Sequence, residues 1–407
     1  MLSQILRTLL SSLISAGLHY YVWRRVVRDP RWPRRAQRVA TWAMVAMFLA
    51  APVTMWAARF GAASLATVLG WVAMPWMVAV ALAAVCRGSL DLGLAVRAGG
   101  RWLWRRVTAA RGAPADAAPA LADAAPADLD RRLFLLRAAS GTSVMVTAAA
   151  MSAGMASARG EHELVTVEIF LPKLPRALDG FSIVQLTDLH IGVTIDRAFV
   201  QRVVDRANHL EPDLIALTGD LIDGKVEDLR HDAAPLGQLR ARHGVYAVTG
   251  NHEYYSGADP WIAELSSLGV RYLRNQRVTI GQGDASFELA GIDDHSAHRF
   301  AGHGADLAAA LRGRDATRAL ILLAHQPRQA REAVPAGVDL QLSGHTHGGQ
   351  VWPFHYLARA QQGGFLAGLY RRAATQVYVS RGCGYVGPPV RLGAPLEITR
   401  VVLRAVS

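Results

Sequence analysis

Two stretches of this chain carry no charge over a length that matches the thickness of a bilayer. Val39–Ala58 runs for 20 residues between Arg38 and Arg59, and Ala63–Cys86 runs for 24 residues up to Arg87. About 20 apolar residues of helix cross a hydrocarbon core, so both are predicted to span a membrane. Pro52 and Pro75 fit this reading, because neighbouring helices can satisfy the carbonyls that a proline frees. A shorter segment, Thr8–Trp23, precedes them. Its Tyr20, Tyr21 and Trp23 beside Arg24 and Arg25 look like an interfacial belt. A cleaved signal peptide is the alternative, but no small-residue cleavage site precedes the aromatics. A fourth apolar stretch, Ala138–Ser157, follows Arg131-Arg132, which reads either as a twin-arginine export signal or as the positive flank of a stop-anchor.

Charge separates this region from the rest. Residues 1–160 hold 19 basic against 6 acidic side chains, and residues 161–407 hold 25 against 26, so the net +12 belongs to the apolar part. A nucleic-acid groove needs its charge on the folded domain, so no nucleic-acid partner is expected. Histidine divides the other way: only His19 precedes residue 160, and thirteen follow. Cys86 and Cys383, the two cysteines, exclude a disulfide scaffold and a cysteine zinc module. The expected organisation is a membrane region over 1–108 with about three transmembrane helices and an Ala/Pro-rich linker over 109–132. A fourth membrane or targeting segment over 133–160 and a folded domain over 161–407 complete it. Arginines crowd the loop after the first segment (Arg24 to Arg38) and the stretch after the third (Arg87 to Arg111). Placing both in the cytoplasm sends the fourth segment outward and makes the folded domain extracytoplasmic.

Beyond Glu163 short β-branched runs alternate with amphipathic stretches, which argues for α/β layering. Phe181–Thr187, Asp213–Thr218, Val245–Thr249, Arg318–Ala324 and Val338–Ser343 are predicted strands covered on both faces. Arg197–Leu210 and Asp259–Leu268 are predicted helices, and Gln376–Ser380 and Leu396–Leu403 are further strands. Each of the first five strands ends in an Asp, Asn or His: Asp188-Leu189-His190, Gly219-Asp220, Gly250-Asn251-His252, His325, and Gly344-His345-Thr346-His347. The carboxyl edge of an α/β sheet is where ligands bind. Asp188, His190, Asp220, Asn251, His325, His345 and His347 offer nitrogen and oxygen donors without sulfur, which suits Zn, Mn, Fe or Co. Seven donors exceed one tetrahedral shell, so two ions sharing a carboxylate are expected. Such a pair activates a bridging hydroxide and clamps a phosphoryl oxygen.

These five blocks, in this order, resemble the calcineurin-like metallophosphoesterase family. Gly344–Gln350 and the tail Tyr378–Thr399 are similar to a membrane-anchored bacterial branch of it. The resemblance implies a four-layer sandwich of two mixed β-sheets flanked by helices. It implies that Asp188, His190 and His347 hold one divalent ion and Asn251, His325 and His345 the other, with Asp220 bridging. His252 would be no ligand but the group that protonates the leaving oxygen or stabilises charge, oriented by Asp223. Glu253 stands where many protein phosphatases have Asp.

The implied activity is hydrolysis of a phosphodiester or phosphomonoester at the membrane, on a small or lipid-linked substrate, with no protein partner indicated. A pyrophosphohydrolase of a nucleotide-linked acyl sugar such as UDP-diacylglucosamine is the alternative enzyme. A membrane-tethered, metal-binding protein without catalysis is the alternative from another class. Asp293, Asp294, His295, His298 and His303 read as a polar surface loop or a pocket lining. His355, Tyr254 and Tyr255 could contact substrate or pack, and Arg381 and Arg391 could bind phosphate or form structural salt bridges.

Overall fold

The computed structural model describes residues 2–59, 63–110 and 126–406, which form two compact units, Met1–Ala153 and Gly154–Ser407.

The first unit is helical. It contains α1 (Leu2–Val22), a π-helical turn (Trp23–Arg28), α2 (Arg34–Arg59), α3 (Ala63–Ala110) and most of α4 (Pro126–Arg159). Val22, Val27, Met44, Val80 and Ala84 bury against one another, while Val39, Trp42, Leu49 and Val53 of α2 face outward. That is the reverse of a water-soluble amphipathic helix. Among the described residues three helices are long and apolar enough to cross a membrane: Arg34–Thr54, Val68–Thr108 and Leu129–Arg159. α1, which carries the Thr8–Trp23 segment, is not among them. α3 does not stop at Cys86, where the uncharged stretch ends. Residues 87–110 lack proline and are rich in Ala, Leu and Arg, so the helix continues through the arginine-rich part. Of the expected linker, residues 111–125 lie outside the described residues. Residues 126–132 already belong to α4, with Pro126 at its first position, where a missing N–H costs nothing.

In the second unit the chain forms β1 (Glu163–Leu171), β2 (Ser182–Leu186), α5 (Arg197–Asn208), β3 (Leu214–Leu217), α6 (Val226–Ala233) and β4 (Val245–Ala247). Then follow α7 (Asn251–Ser256), α8 (Ala258–Ser267), β5 (Arg271–Tyr272), β6 (Gln276–Gln282), β7 (Ala285–Gly291), α9 (Leu307–Leu311) and β8 (Leu320–Leu323). The rest is α10 (Ala330–Ala333), β9 (Leu340–Ser343), α11 (His355–Gln361), β10 (Gly368–Arg372), β11 (Thr375–Val379) and β12 (Glu397–Ala405). Two six-stranded sheets result, ordered β1-β12-β2-β3-β4-β5 and β10-β11-β9-β8-β7-β6. Both are mixed: β2 to β5 and β7, β8, β9, β11 run parallel, whereas β12 meets β2, and β6 and β10 meet their neighbours, antiparallel.

Side-chain alternation builds the layers. Ile183, Leu214, Ala216 and Tyr246 of one sheet meet Phe287, Leu289, Ile321, Leu323 and Leu342 of the other in a shared core. Neighbours one residue along, Val184, Leu186, Ile215 and Leu217, point the other way onto Val200, Val203 and Val204 of α5 and onto Trp261 and Leu265 of α8. On the far side Leu320 and Leu322 pack under Leu307 and Ala310 of α9 and Ala333 of α10. Both faces of the central strands are covered, which is why they read as continuous apolar runs. The four-layer sandwich expected from the sequence is the one found. The unit begins seven residues earlier than residue 161, because Ala158 is buried in its core and Arg391 N donates to Gly154 O at 2.8 Å.

Candidate metal centre

The loops after β2, β3 and β4 leave the carboxyl edge of one sheet, and those after β8 and β9 leave the same edge of the other. Asp188, His190, Asp220, His325, His345 and His347 lie on these loops, and the fold brings these six together; Asn251 opens α7, next to His252, whose backbone N–H meets Asp220. Asp188, His190 and His347 place one ligand atom each within 4.8 Å of one another, and so do Asp220, His325 and His345. His190 Nε2 lies 3.0 Å from His347 Nε2, and His347 Nε2 lies 3.2 Å from Asp188 Oδ1. His325 Nε2 lies 3.0 Å from Asp220 Oδ2 and 3.2 Å from His345 Nδ1. Asp220 joins the two groups, since its Oδ2 is also 3.8 Å from His190 Nε2.

Tight turns deliver these side chains. Asp188, His190, Asp220, His345 and His347 all adopt positive φ, between 51° and 70°. Each such residue costs roughly 1–2 kcal/mol, and strain of this kind persists where the surroundings over-determine it. Two glycines let the loops close. A Cβ on Gly344 would strike the Asp188 carboxylate and the Thr187 hydroxyl, and one on Gly250 would strike Asp220.

The donor set fits divalent cations. Asp188 and Asp220 are buried, and among the described residues no Arg or Lys forms an ion pair with either, although Asp188 and the buried Arg391 attract each other electrostatically. Buried carboxylates without a cation are costly. Asn251 Oδ1 is buried with no hydrogen-bond partner, an acceptor waiting for one. Burial pushes His345 down to about 3, with the neighbouring His325 adding to it, and burial with His190 and Arg391 holds His347 well below the usual range. Both rings are therefore neutral, the form in which an imidazole binds a cation. His325 Nδ1 donates to Thr218 O at 2.8 Å, which leaves its Nε2 facing the cluster.

His252 sits beside the donors and is fixed from one side. Its Nδ1 lies 2.6 Å from Asp223 Oδ1, and its backbone N–H donates to Asp220 Oδ1 at 2.8 Å. The Asp223 carboxylate also meets His190 Nδ1 at 3.1 Å, so one residue orients both rings. Burial alone would depress His252, but Asp220 and the Asp223 hydrogen bond outweigh it and hold it at about 9. Burial likewise opposes ionisation of Asp223, yet His190 and His252 bring it far below the ordinary carboxylate range. His252 groups with His190 and Asp220 as well, although its Nδ1 is already taken.

The role of Glu253 was not read from the sequence, and of the two readings left open for Arg381 and Arg391 the structural one holds. Glu253, fully buried, accepts from Gly250 N and Leu221 N at 2.6 Å and from Asp220 N at 3.0 Å. It thereby ties the loop after β3 to the loop after β4. Arg391 is 1% exposed and spends its guanidinium on backbone carbonyls, among them Gly384 O, Arg381 O and Ala394 O, and on His347 Nδ1 at 3.1 Å. Arg381 pairs with Glu397 at 2.6 Å and Glu163 at 2.8 Å. Both arginines are therefore structural, and the phosphate-binding alternative is withdrawn. Asp293 and Asp294 do not belong to a surface loop either: both are buried, Asp293 on Arg274 at 2.7 Å and Asp294 on Gln326 at 3.0 Å. His298 bonds the carbonyl of His295, and His303 meets Arg274 and Asp259. Tyr254 is buried on Thr249, whereas Tyr255 is exposed with its ring 5.4 Å from that of His252. His355 packs over Gly349, next to the exposed Trp352, Phe354, Tyr356 and Leu357.

The Asp/His cluster at the strand ends of this double-sheet α/β sandwich is a candidate divalent-metal centre. The calcineurin-like phosphoesterase family profile matches residues 181–349. An uncharacterized metallophosphoesterase of Bacillus subtilis is 31% identical over 288 residues, covering 69% of this chain and 99% of that one. A bovine protein named as a transmembrane protein with metallophosphoesterase domain is 43% identical over 290 residues, 68% of this chain and 64% of that one. This chain thus spans under two thirds of the bovine relative. Among solved structures, Haemophilus influenzae NAD nucleotidase aligns with a TM-score of 0.34 and 14% identity, over 50% of this chain and 45% of that one. The chain belongs to the metallophosphoesterase family. The resemblance extends beyond bacterial members, since the bovine protein is 43% identical over 68% of this chain.

Proposed function

We propose that this chain is a membrane-anchored phosphoesterase with two divalent cations of the Mn, Fe, Zn or Co type. Asp188, His190 and His347 take one cation and Asn251, His325 and His345 the other, with Asp220 shared. The observation that carries this reading is the pair of donor groups joined by Asp220, with His252 alongside and in no need of ligation. When bound, the cations supply Lewis-acid neutralisation of a phosphoryl group and a nucleophile at neutral pH.

The chain's own residues do the remaining work. Asp223 accepts from His252 Nδ1, which turns Nε2 toward the ligand side and keeps a proton there for the departing ester oxygen. Asp223 bonds His190 in the same way and so fixes a ligand and the proton donor together. Glu253 holds the backbone of Asp220 and Gly250 still. The exposed Trp352, Phe354, Tyr356 and Leu357 follow the His345–Gln350 loop directly, and they favour an amphiphilic phosphoester over a small polar one.

The arginine distribution supports a catalytic unit outside the cytoplasm. A reporter at the C-terminus active only inside the cell would instead favour the nucleotide-linked acyl-sugar reaction. The deciding experiment is hydrolysis of a bis-aryl phosphate by the full chain in detergent with Mn²⁺. Turnover that falls by about 10²–10⁴-fold in His252→Ala with metal content preserved is the expected result. Absent turnover in the metal-loaded wild type, or turnover indifferent to His252, sinks the proposal and leaves a tethered metal-binding protein.

A further inference from the structure

The helical unit contains a cavity of about 460 Å³ that hydrolysis does not use. Its lining combines Arg87 of α3 and Arg131 and Arg132 of α4 with the apolar Leu94, Leu135 and Leu136. The volume falls within the roughly 300–1,000 Å³ that takes an organic ligand rather than a simple ion.

Charge bookkeeping around it does not close. Asp91 accepts from Arg25 Nε at 2.8 Å, from Arg87 Nη2 at 3.1 Å and from the Tyr21 hydroxyl at 2.8 Å, while Asp29 takes the other side of Arg25 at 3.1 Å. Two arginines thus share two aspartates. Arg131 and Arg132 are exposed and form no ion pair among the described residues. Arg87 adds a second, independent sign of a missing partner: it is 3% exposed, yet its Nε–H is buried with nothing to bond. A desolvated guanidinium N–H is the kind of donor that an anionic oxygen satisfies.

The position along the helices narrows the ligand. Arg87 ends the uncharged stretch of α3, and Arg131-Arg132 directly precede the apolar run of α4. Each thus stands at the charged end of an uncharged or apolar run, the kind of position where a span meets headgroups. An inorganic anion would leave the leucine wall without a counterpart, and a neutral lipid would leave the arginines without one.

We propose that this cavity binds an anionic phospholipid, with its phosphate on Arg87, Arg131 and Arg132 and its acyl chains along Leu135 and Leu136. The site is separate from the hydrolytic centre and does not depend on the reading given for that centre. It also gives Arg131-Arg132 a role in the folded protein, beyond export or topology.

The test is native mass spectrometry of the full chain, delipidated in a neutral detergent and titrated with phosphatidylglycerol or phosphatidylcholine. Tight retention of phosphatidylglycerol alone is expected, undiminished by added inorganic phosphate. The double variant Arg131→Gln/Arg132→Gln should weaken it on the order of 30-fold, from about fivefold per arginine near a lipid surface. Both arginines are exposed, so helix content by circular dichroism should not change. Leu135→Ser/Leu136→Ser should weaken retention with every arginine intact. Equal retention of phosphatidylcholine, competition by inorganic phosphate, or retention unaffected by both double variants overturns the proposal.

Discussion

Replacing Gly250 with alanine isolates the effect of one contact. Gly250 has φ −100° and ψ −175°, an extended conformation that alanine adopts without strain. Its added Cβ, however, would lie 2.8 Å from Asp220 Cγ and closer still to Asp220 N and Oδ1, where ordinary contact begins at 3.4 Å. The carboxylate must withdraw by about 0.6 Å at Cγ and by about 1 Å at the nearer Oδ1. Neither backbone can move away instead, because Glu253 holds Gly250 N at 2.6 Å and Asp220 N at 3.0 Å. Overpacking of this kind costs about 1–3 kcal/mol of stability. Asp220 is the carboxylate common to both donor groups, and a 1 Å misplacement in an active site costs about 100-fold in rate. Gly250→Ala should therefore lower kcat/KM on a bis-aryl phosphate by about two orders of magnitude and reduce the metal retained after gel filtration. Gly304→Ala, where nothing lies within 4 Å, is the control and should match wild type. Activity of Gly250→Ala within fivefold of the control, with full metal content, would refute the reasoning.

Three further outcomes are expected. Arg391→Met removes a buried guanidinium from backbone carbonyls and from His347, so it should cost about 3–5 kcal/mol in urea unfolding, and lysine, which lacks the fork, should not restore it. Chelation should lower the melting temperature of the catalytic unit, and Mn²⁺ at about 100 times its dissociation constant should restore about 2.7 kcal/mol, read as a shift in calorimetry. His162 should make the protein acid-sensitive. Burial lowers it to about 4, against the Cys383 carbonyl bond that favours its proton, so the unfolded chain binds more protons between about pH 6.5 and 4. Stability is thus lost as pH falls through 6.5 and levels off below about 4, by up to about 3 kcal/mol. His162→Gln should flatten that limb of the unfolding midpoint against pH, and an unchanged slope would count against it.

The centre was legible because its signals are local. A buried strand is a continuous apolar run, and the donors follow within four residues of its end, as in Leu186 to Asp188 or Ala247 to Asn251. What escaped depends on distant partners. β1 reads as Glu-Leu-Val-Thr-Val-Glu, with most of its first half exposed, and it becomes a strand by pairing with β12 from the other end of the chain. The β6–β7 hairpin carries Arg277 and Glu288, which pair with each other at 2.5 Å and so hide polar residues inside a strand pair. Glu253 looked like a conservative exchange for Asp. Its role appears only when the three N–H groups it receives are seen to come from two loops. Arg391 failed as a phosphate ligand because sequence cannot show that a guanidinium 1% exposed has no room left.

The donors are shared unequally between the two halves of the sandwich. Asp188, His190, Asp220 and Asn251 follow strands of one sheet, and His325, His345 and His347 follow strands of the other. Any ion held by either group is therefore gripped by both sheets at once, like a bolt through two plates. The gap between the plates is gauged by Ile183, Ala216, Phe287, Leu323 and Leu342 in the greasy middle. Trimming a methyl group there, far from any ligand, would detune the chemistry before the molecule came apart.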